Sequence, residues 1–332
     1  MAKNIKKHPE NYSDKCKGKI LATLFYEPST RTMLSFQTAM LRLGGTVIGF
    51  DNPSNSSVAK GESLKDTISI VSSYVDLIVM RHPLEGAAMA ASMFSSKPVI
   101  NAGDGGHLHP TQTLTDLTTI MLEKNKLTSL NIGFCGDLKN GRTVHSLLKA
   151  FLRYEGNKFY FISTKKLNIP EYLLNKLKET NNKFIFASSL DECIDELDVL
   201  YMTRIQRERF DSEKDYLKQK GVFILDSEKL KKAKDDLIIL HPLPRVDEID
   251  VEVDDDIRAK YFQQAENGVY VRMALIMTLL NDEKTLEINY KFEKEKIECL
   301  NPKCITNTEK YLKTVIDENQ AGYCKYCNHK LY

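Results

Sequence analysis

The chain has 332 residues, 42% of them apolar, and a formal net charge of +2. That length implies two domains or more, each with its own core. The near balance of charge, with no dense basic block, argues against a polyanion-binding surface. No apolar run reaches the length of a membrane span, and Met1-Ala2-Lys3-Asn4 does not open a signal peptide, so a cytoplasmic location is expected.

From Ile20 onward the pattern alternates strand and helix. Residues 20–25 predict a strand and residues 29–43 a helix with Leu34, Met40 and Leu41 on one face. Residues 46–50 predict a strand, and Leu64, Ile68 and Val71 space a helix. A strand over 76–80, a helix over 85–94, a strand over 98–101 and a helix over 110–122 follow. Residues 123–129 are polar and predict a hinge. A second alternating unit has strands at 131–135, 159–162, 184–187, 199–202 and 237–240, with helices beginning near Arg142 and Pro170. A helix over 269–280 puts Met273, Ile276 and Leu280 on one side. Residues 282–296 are charged and read as a linker with room for one strand. The expectation is an α/β protein of two doubly wound parallel-sheet domains, followed by a small separate module.

Five polar residues, Arg31, Arg81, His109, Arg204 and His241, each lie just past the C-terminal end of a predicted strand. In open α/β sheets that edge forms the ligand crevice, so five together point to a site between two domains. Glu27-Pro28-Ser29-Thr30-Arg31-Thr32 delivers hydroxyls and a guanidinium to a helix N-terminus, where the peptide dipole already favours an anion. Gly136-Asp137-Leu138-Lys139-Asn140-Gly141-Arg142-Thr143 is a strand-to-helix turn, with Arg142 suited to a carboxylate. It lacks the glycine spacing of a dinucleotide site. Arg204, Gln206 and Arg209 follow a strand. In His241-Pro242-Leu243-Pro244 the prolines fix the backbone and leave the carbonyls of Pro242 and Leu243 to accept bonds, as from an amine. Read singly, each feature has a plainer role: a capped helix with a surface arginine, a solvated strand end, a capping histidine, a charged helix.

Taken together these strings carry a resemblance. FYEPSTRT, SSVAKGES, MRHPLEGA, HPTQTLTDL, GDLKNGRTVHSL, YMTRIQRERF and HPLPRVDEI resemble, in order, the motifs of the aspartate carbamoyltransferase catalytic chain, over roughly residues 18–282. HPLP and YMTRIQRER separate that family from ornithine carbamoyltransferases. The resemblance implies a carbamoyl phosphate-binding domain at 1–125 with a return helix near 265–282, and an aspartate-binding domain at 126–264. It implies transfer of a carbamoyl group from carbamoyl phosphate to the amine of L-aspartate, the committed step of pyrimidine synthesis, without an organic cofactor. Ser29, Thr30, Arg31, Thr32 and Arg81 then take the phosphate. Thr32, Arg81 and His109 hold the carbonyl oxygen, and Gln112 contacts the carbamoyl amide. Arg142, with Thr143 beside it, binds one aspartate carboxylate and Arg204 with Gln206 the other. Pro242 and Leu243 orient the amine. Ser56 and Lys60 match a loop that enters a neighbouring subunit's site, which implies a homotrimer. Glu27 matches a residue that pairs with Arg142 and Arg209 on domain closure. Two other readings stand beside this one: a transcarbamoylase for another amino acid, and a transcarbamoylase-fold partner or regulatory protein with little activity of its own.

Two departures from the family pattern matter. Met33 and Gln37 stand where the family has Arg and Glu. The family's first long helix is missing or trimmed before Lys19, leaving open what covers the late helix.

Of seven cysteines, Cys135 and Cys193 lie in apolar or helical patterns and read as buried thiols. Cys299, Cys304, Cys324 and Cys327 form two close pairs across a loop, a spacing that suits one tetrahedral zinc held by four thiolates. The module at 288–332 resembles the zinc domain of the regulatory chain of aspartate carbamoyltransferase, without its nucleotide-binding domain. That implies a structural zinc and a docking role that extends to higher assemblies; the balanced charge and the lack of a long apolar run argue against a nucleic-acid or membrane partner.

Overall fold

The computed structural model describes residues 1–207, 210, 212–281, 297–317 and 320–331. It divides into two compact units, Met1–Thr111 with Gly268–Tyr332, and Gln112–Asn267.

The first unit opens with α1 (Ala2–Lys7) and then β1 (Ile20–Phe25), α2 (Thr30–Arg42), β2 (Thr46–Phe50), α3 (Leu64–Tyr74), β3 (Leu77–His82), α4 (Ala87–Phe94) and β4 (Val99–Asp104). All four strands run parallel in the order β2-β1-β3-β4. Alternate strand residues feed two cores, as a pleat of period two requires. Ala22, Leu24, Ile78 and Met80 join α3 and α4 on one face. Leu21, Phe25, Leu77 and Val79 join Phe36, Ala39, Met40 and Leu43 of α2 on the other. Leu34 and Leu41 are therefore not on the buried face with Met40: they are 51% and 61% exposed. Seven residues separate them, so they share a helix side, but it is the side away from the sheet.

The second unit takes in most of α5 (Pro110–Lys124), then β5 (Asn131–Cys135), α6 (Arg142–Phe151), β6 (Lys158–Ile162), α7 (Glu171–Lys178), β7 (Lys183–Ala187), β8 (Val199–Met202), α8 (Glu213–Leu217), α9 (Ser227–Leu230) and β9 (Ile238–Leu240). Its five strands are parallel in the order β7-β6-β5-β8-β9. Phe134, Phe159, Phe161 and Tyr201 pack under α6, and Cys135, Tyr160, Ile162 and Met202 face the opposite core with Cys193. Both thiols are buried.

The long α10 (Tyr261–Asn281) crosses the division between the units. Its second half returns to the first unit, where Met273 and Ile276 share a core with Ile5 of α1. Lys6 also lies over the Tyr270 ring, 5.9 Å from its centroid. A helix of only six residues thus meets the late helix. Residues 282–296, read as a charged linker, lie outside the described residues. The chain ends with α11 (Ile305–Thr308) and an antiparallel pair, β10 (Ile316–Asp317) and β11 (Gln320–Cys324).

Both sheets reverse their winding once, between β1 and β3 in the first unit and between β5 and β8 in the second. At such a switch point the connections leave in opposite directions and open a crevice at the carboxyl ends of the strands.

Candidate active site and metal centre

In the first unit the residues flanking the switch point converge. Ser29 stands at the N-cap of α2, and its hydroxyl makes no capping bond. Thr30 and Arg31 are exposed and Thr32 is buried. Arg81 lies within β3 rather than beyond it. The polar pair Arg81-His82 ends the apolar run, yet the backbone continues to pair with β4 as far as His82 and Asp104. The Arg81 guanidinium is buried, donates to the carbonyl of Ala102 at 3.4 Å and lies 3.5 Å from Nε2 of His109. Glu27 approaches Arg81 Nε at 3.4 Å. Gly103, at φ +123°, makes this packing feasible: a Cβ there would meet Arg81 Nη1 at 3.1 Å and the His109 ring at 3.7 Å. Ser56 and Lys60 sit apart on the loop after β2, in short helical turns where Ser56 bonds Pro53 and Val58.

At the two departures, Gln37 donates to the Thr23 hydroxyl at 3.2 Å, and Met33 packs against the core under α2.

In the second unit Arg142 begins α6 after the turn that follows β5. Asp137 in that turn is fully buried, accepts from the Asn140 backbone at 3.0 Å and from its amide at 3.1 Å, and also takes the backbone N–H of Gln206. The loop after β5 and the loop after β8 are thus tied together at the switch point. Burial pushes the Asp137 carboxyl up despite these bonds. Arg204 lies in the same loop, whereas Arg209 lies outside the described residues.

A second buried carboxylate was not anticipated from the sequence. Asp116 is fully buried and accepts from Gln112 at 2.7 Å, from Gln264 at 2.6 Å and from the Tyr201 hydroxyl at 3.0 Å. Tyr201 also bonds Thr143, and Gln264 accepts from the backbone N–H of His241. One side chain therefore links the helix of Gln112, the helix of Arg142 and the strand leading to Pro242 and Leu243. The available signal was an acid four residues after Gln112, on the same helix face. His241 is itself fixed: Leu243 N–H donates to Nδ1 at 2.7 Å, so Nε2–H donates to Glu248 at 2.7 Å. Burial raises the Glu248 carboxyl, but the bond and charge of His241 and the backbone N–H donors of Val246 and Glu248 together outweigh it, and the net shift is down.

The four C-terminal cysteines come together. All are buried, with their sulfur atoms within 4.8 Å of one another. Cys299 and Cys327 are 3.5 Å apart, and Cys304 and Cys324 3.9 Å. A tetrahedral ion with bonds of about 2.3 Å needs sulfurs about 3.8 Å apart, so the donor set fits a metal.

Comparison with known proteins places the chain. Residues 1–122 match the "Aspartate/ornithine carbamoyltransferase, carbamoyl-P binding domain", and residues 128–279 match the "Asp/Orn binding domain". The chain belongs to the aspartate/ornithine carbamoyltransferase family. It is 59% identical over 281 residues to an aspartate carbamoyltransferase catalytic subunit of Clostridium botulinum, covering 84% of this chain and 92% of that one. It is 60% identical over 283 residues to that of Clostridium perfringens, covering 85% and 92%. Among solved structures, the catalytic subunit of M. jannaschii aspartate transcarbamoylase superposes with a TM-score of 0.80 at 51% identity, over 86% of this chain and 93% of that one. The Trypanosoma cruzi aspartate transcarbamoylase in complex with carbamoyl phosphate and aspartate gives 0.79 at 38% identity, over 84% and 90%. Both family matches end before the cysteine module.

Proposed function

We propose that this family member transfers the carbamoyl group of carbamoyl phosphate to the amine of L-aspartate, yielding N-carbamoyl-L-aspartate and phosphate. The observation that carries the reading is the buried pair of Arg81 and His109 beside the anion-binding turn 29–32. The phosphate is the leaving group and needs cationic and N–H donors, which Ser29, Thr30, Arg31 and Arg81 supply. When the amine attacks, negative charge gathers on the carbonyl oxygen. Thr32, Arg81 and His109 then act as preorganised donors to it. Gln112, held by Asp116, receives the carbamoyl amide. Arg142 with Thr143 and Arg204 with Gln206 take the two carboxylates, and the carbonyls of Pro242 and Leu243 align the amine. No covalent enzyme intermediate is needed, and the rate comes from positioning and fixed charge.

We also read the cysteine centre as a structural zinc site like that of the regulatory chain. Zinc would tie together the two loops that carry the cysteine pairs. Ser56 and Lys60 are assigned to a neighbouring subunit's site in a homotrimer, and Glu27 to domain closure with Arg142 and Arg209. The test is carbamoyl transfer by the purified chain with aspartate and ornithine offered separately. Product from aspartate alone supports the reading, and no product from either in a folded protein overturns it.

A further inference from the structure

The cysteine module is seated on the turn between β3 and α4, and one residue of it reaches the loop that carries His109. Between its two cysteine pairs it grips Glu85 and Gly86. Glu85 N–H donates to the Lys303 carbonyl at 2.9 Å, Ile305 N–H donates to the Glu85 carbonyl at 3.0 Å, and the Asn301 amide donates to the Glu85 carboxylate at 2.7 Å. These bonds come from the Cys299–Cys304 side. From the other side Tyr326 fills the space above Gly86, where a Cβ would lie 2.5 Å from its own Cβ. Gly86 N–H then donates to Asp104 Oδ2 at 2.8 Å.

A second arm reaches the same carboxylate. Asn328 follows the last cysteine at φ +55°, and its backbone N–H closes the knuckle by donating to the Cys324 carbonyl at 2.8 Å. Its amide lies 2.8 Å from Nε2 of His107, and Nδ1 of His107 lies 3.0 Å from Asp104 Oδ2. With the proton on Nδ1 the ring donates to Asp104 and accepts from Asn328. Asp104 is 2% exposed. Its other oxygen accepts from Leu108 N–H at 3.1 Å and from the Asn101 amide at 3.0 Å. Leu108 is the residue before His109. Both halves of the cysteine centre therefore end on one buried carboxylate, and that carboxylate pins the backbone next to His109.

We propose that His107 is a positioning residue: it ties the knuckle of the metal centre to Asp104, so that the filled centre sets the loop 103–109 and the His109 ring. The kinetic half of this proposal rests on the function proposed above. When the centre is empty, the knuckle loosens, the His107 ring loses its Asn328 partner and Asp104 loses one of its fixed donors. Supporting groups of this kind are worth about 10–100-fold in the function they orient.

The experiment uses the full, zinc-loaded chain and its His107→Ala, His107→Gln, Asn328→Ala and Lys313→Ala variants, each with its metal content measured. His107→Ala should lower kcat by about tenfold with a smaller change in KM for aspartate, because the carboxylate-binding residues are untouched. His107→Gln, whose amide can both donate and accept, should recover much of the loss, and Asn328→Ala should fall between. Lys313→Ala, on the exposed side of the module, should match the parent. Hydrogen exchange gives a readout that does not depend on turnover. Exchange in a peptide covering residues 101–109 should rise when the parent is chelated, and should already be raised in metal-loaded His107→Ala. Unchanged kcat and unchanged exchange in metal-loaded His107→Ala would overturn the coupling. If chelation unfolds the whole chain, the metal-loaded variants decide alone. If no carbamoyl transfer occurs in the parent, exchange still reads the coupling, so the two failures stay distinct.

Discussion

Asp116 offers the most demanding test of how the second unit holds the residues proposed to bind substrate. Its carboxylate, itself fully buried, takes the amides of Gln112 and Gln264 on one oxygen and the Tyr201 hydroxyl on the other. Burial, and then the Asp116 charge, pushes the Tyr201 pKa well up, so the hydroxyl stays a donor. Asp116→Ala would orphan three donors. At about 1–3 kcal/mol each the sum is about 3–9 kcal/mol, and water admitted to the new space brings the expected loss toward ~4 kcal/mol. Asp116→Asn is different. Its oxygen can still accept from Gln112 and Gln264, and its amide can donate to the Tyr201 oxygen, which has free lone pairs. What is lost is charge assistance, about 1–2 kcal/mol. Asp116→Leu separates the remaining causes, since it fills the volume but leaves the donors orphaned. It should resemble Ala. The assays are urea unfolding and steady-state kinetics. Asp116→Ala should also raise KM for carbamoyl phosphate, because Gln112 loses its support. Equal stability of the Ala and Asn variants, or an Ala loss under about 1 kcal/mol, would refute the idea that this carboxylate organises the unit.

Glu27→Ala should lower kcat and raise KM for aspartate by about tenfold while leaving the fold intact, as expected of a group that helps align bound substrate. Unchanged kinetics would remove Glu27 from the site. His145 gives a pH signature. Burial holds its pKa down at about 4, from an ordinary 6.5, against the pull of the Leu138 carbonyl, which lies 2.8 Å from Nε2. Below pH 6.5 the unfolded chain binds a proton that the native chain refuses, so stability falls as pH drops from 6.5 toward 4, by roughly 3 kcal/mol in full. His145→Gln should be less stable at pH 7 but show a flatter melting temperature between pH 7 and 5; an unchanged slope would contradict the assignment. For the shared site, an inactive Lys60→Ala chain mixed with an inactive Arg31→Ala chain should regain part of the activity, and none in verified mixed trimers would count against sharing.

What the sequence made legible follows from where the physics is local. Alternating apolar runs and turn residues mark parallel strands and their helices, because a strand buried on both faces has no room for polar residues until it ends. The same logic misplaced the end of β3. Arg81 and His82 break the apolar run, yet each is used inside the protein, Arg81 against Ala102 and His109, and His82 as acceptor for Leu84 N–H at 3.0 Å. A polar residue with a fixed partner is compatible with a buried strand, and the partner is invisible in the string. The buried acids Asp104, Asp116 and Asp137 escaped for the same reason. Each stands in a stretch already marked by other residues and reads as a turn or surface acid until the backbone brings N–H groups and amides around it.

The cysteine module shows the two kinds of information side by side. Four thiolates around one ion need two close pairs and little else, so their spacing states the donor set outright. Where the module sits depends instead on complementary shape. Gly86, at φ +82°, can take no side chain without meeting Tyr326, and Glu85 offers its backbone and carboxylate to the residues around Cys304. In the string, Leu84-Glu85-Gly86-Ala87 is simply the start of a helix. Glycine there serves the turn and the interface at once, and the sequence cannot separate the two. The consequence reaches the chemistry. The same two residues that receive the module are bonded, through Gly86 N–H and Asp104, to the backbone beside His109. A cysteine cluster outside both matched family regions thus ends, bond by bond, on the backbone beside His109.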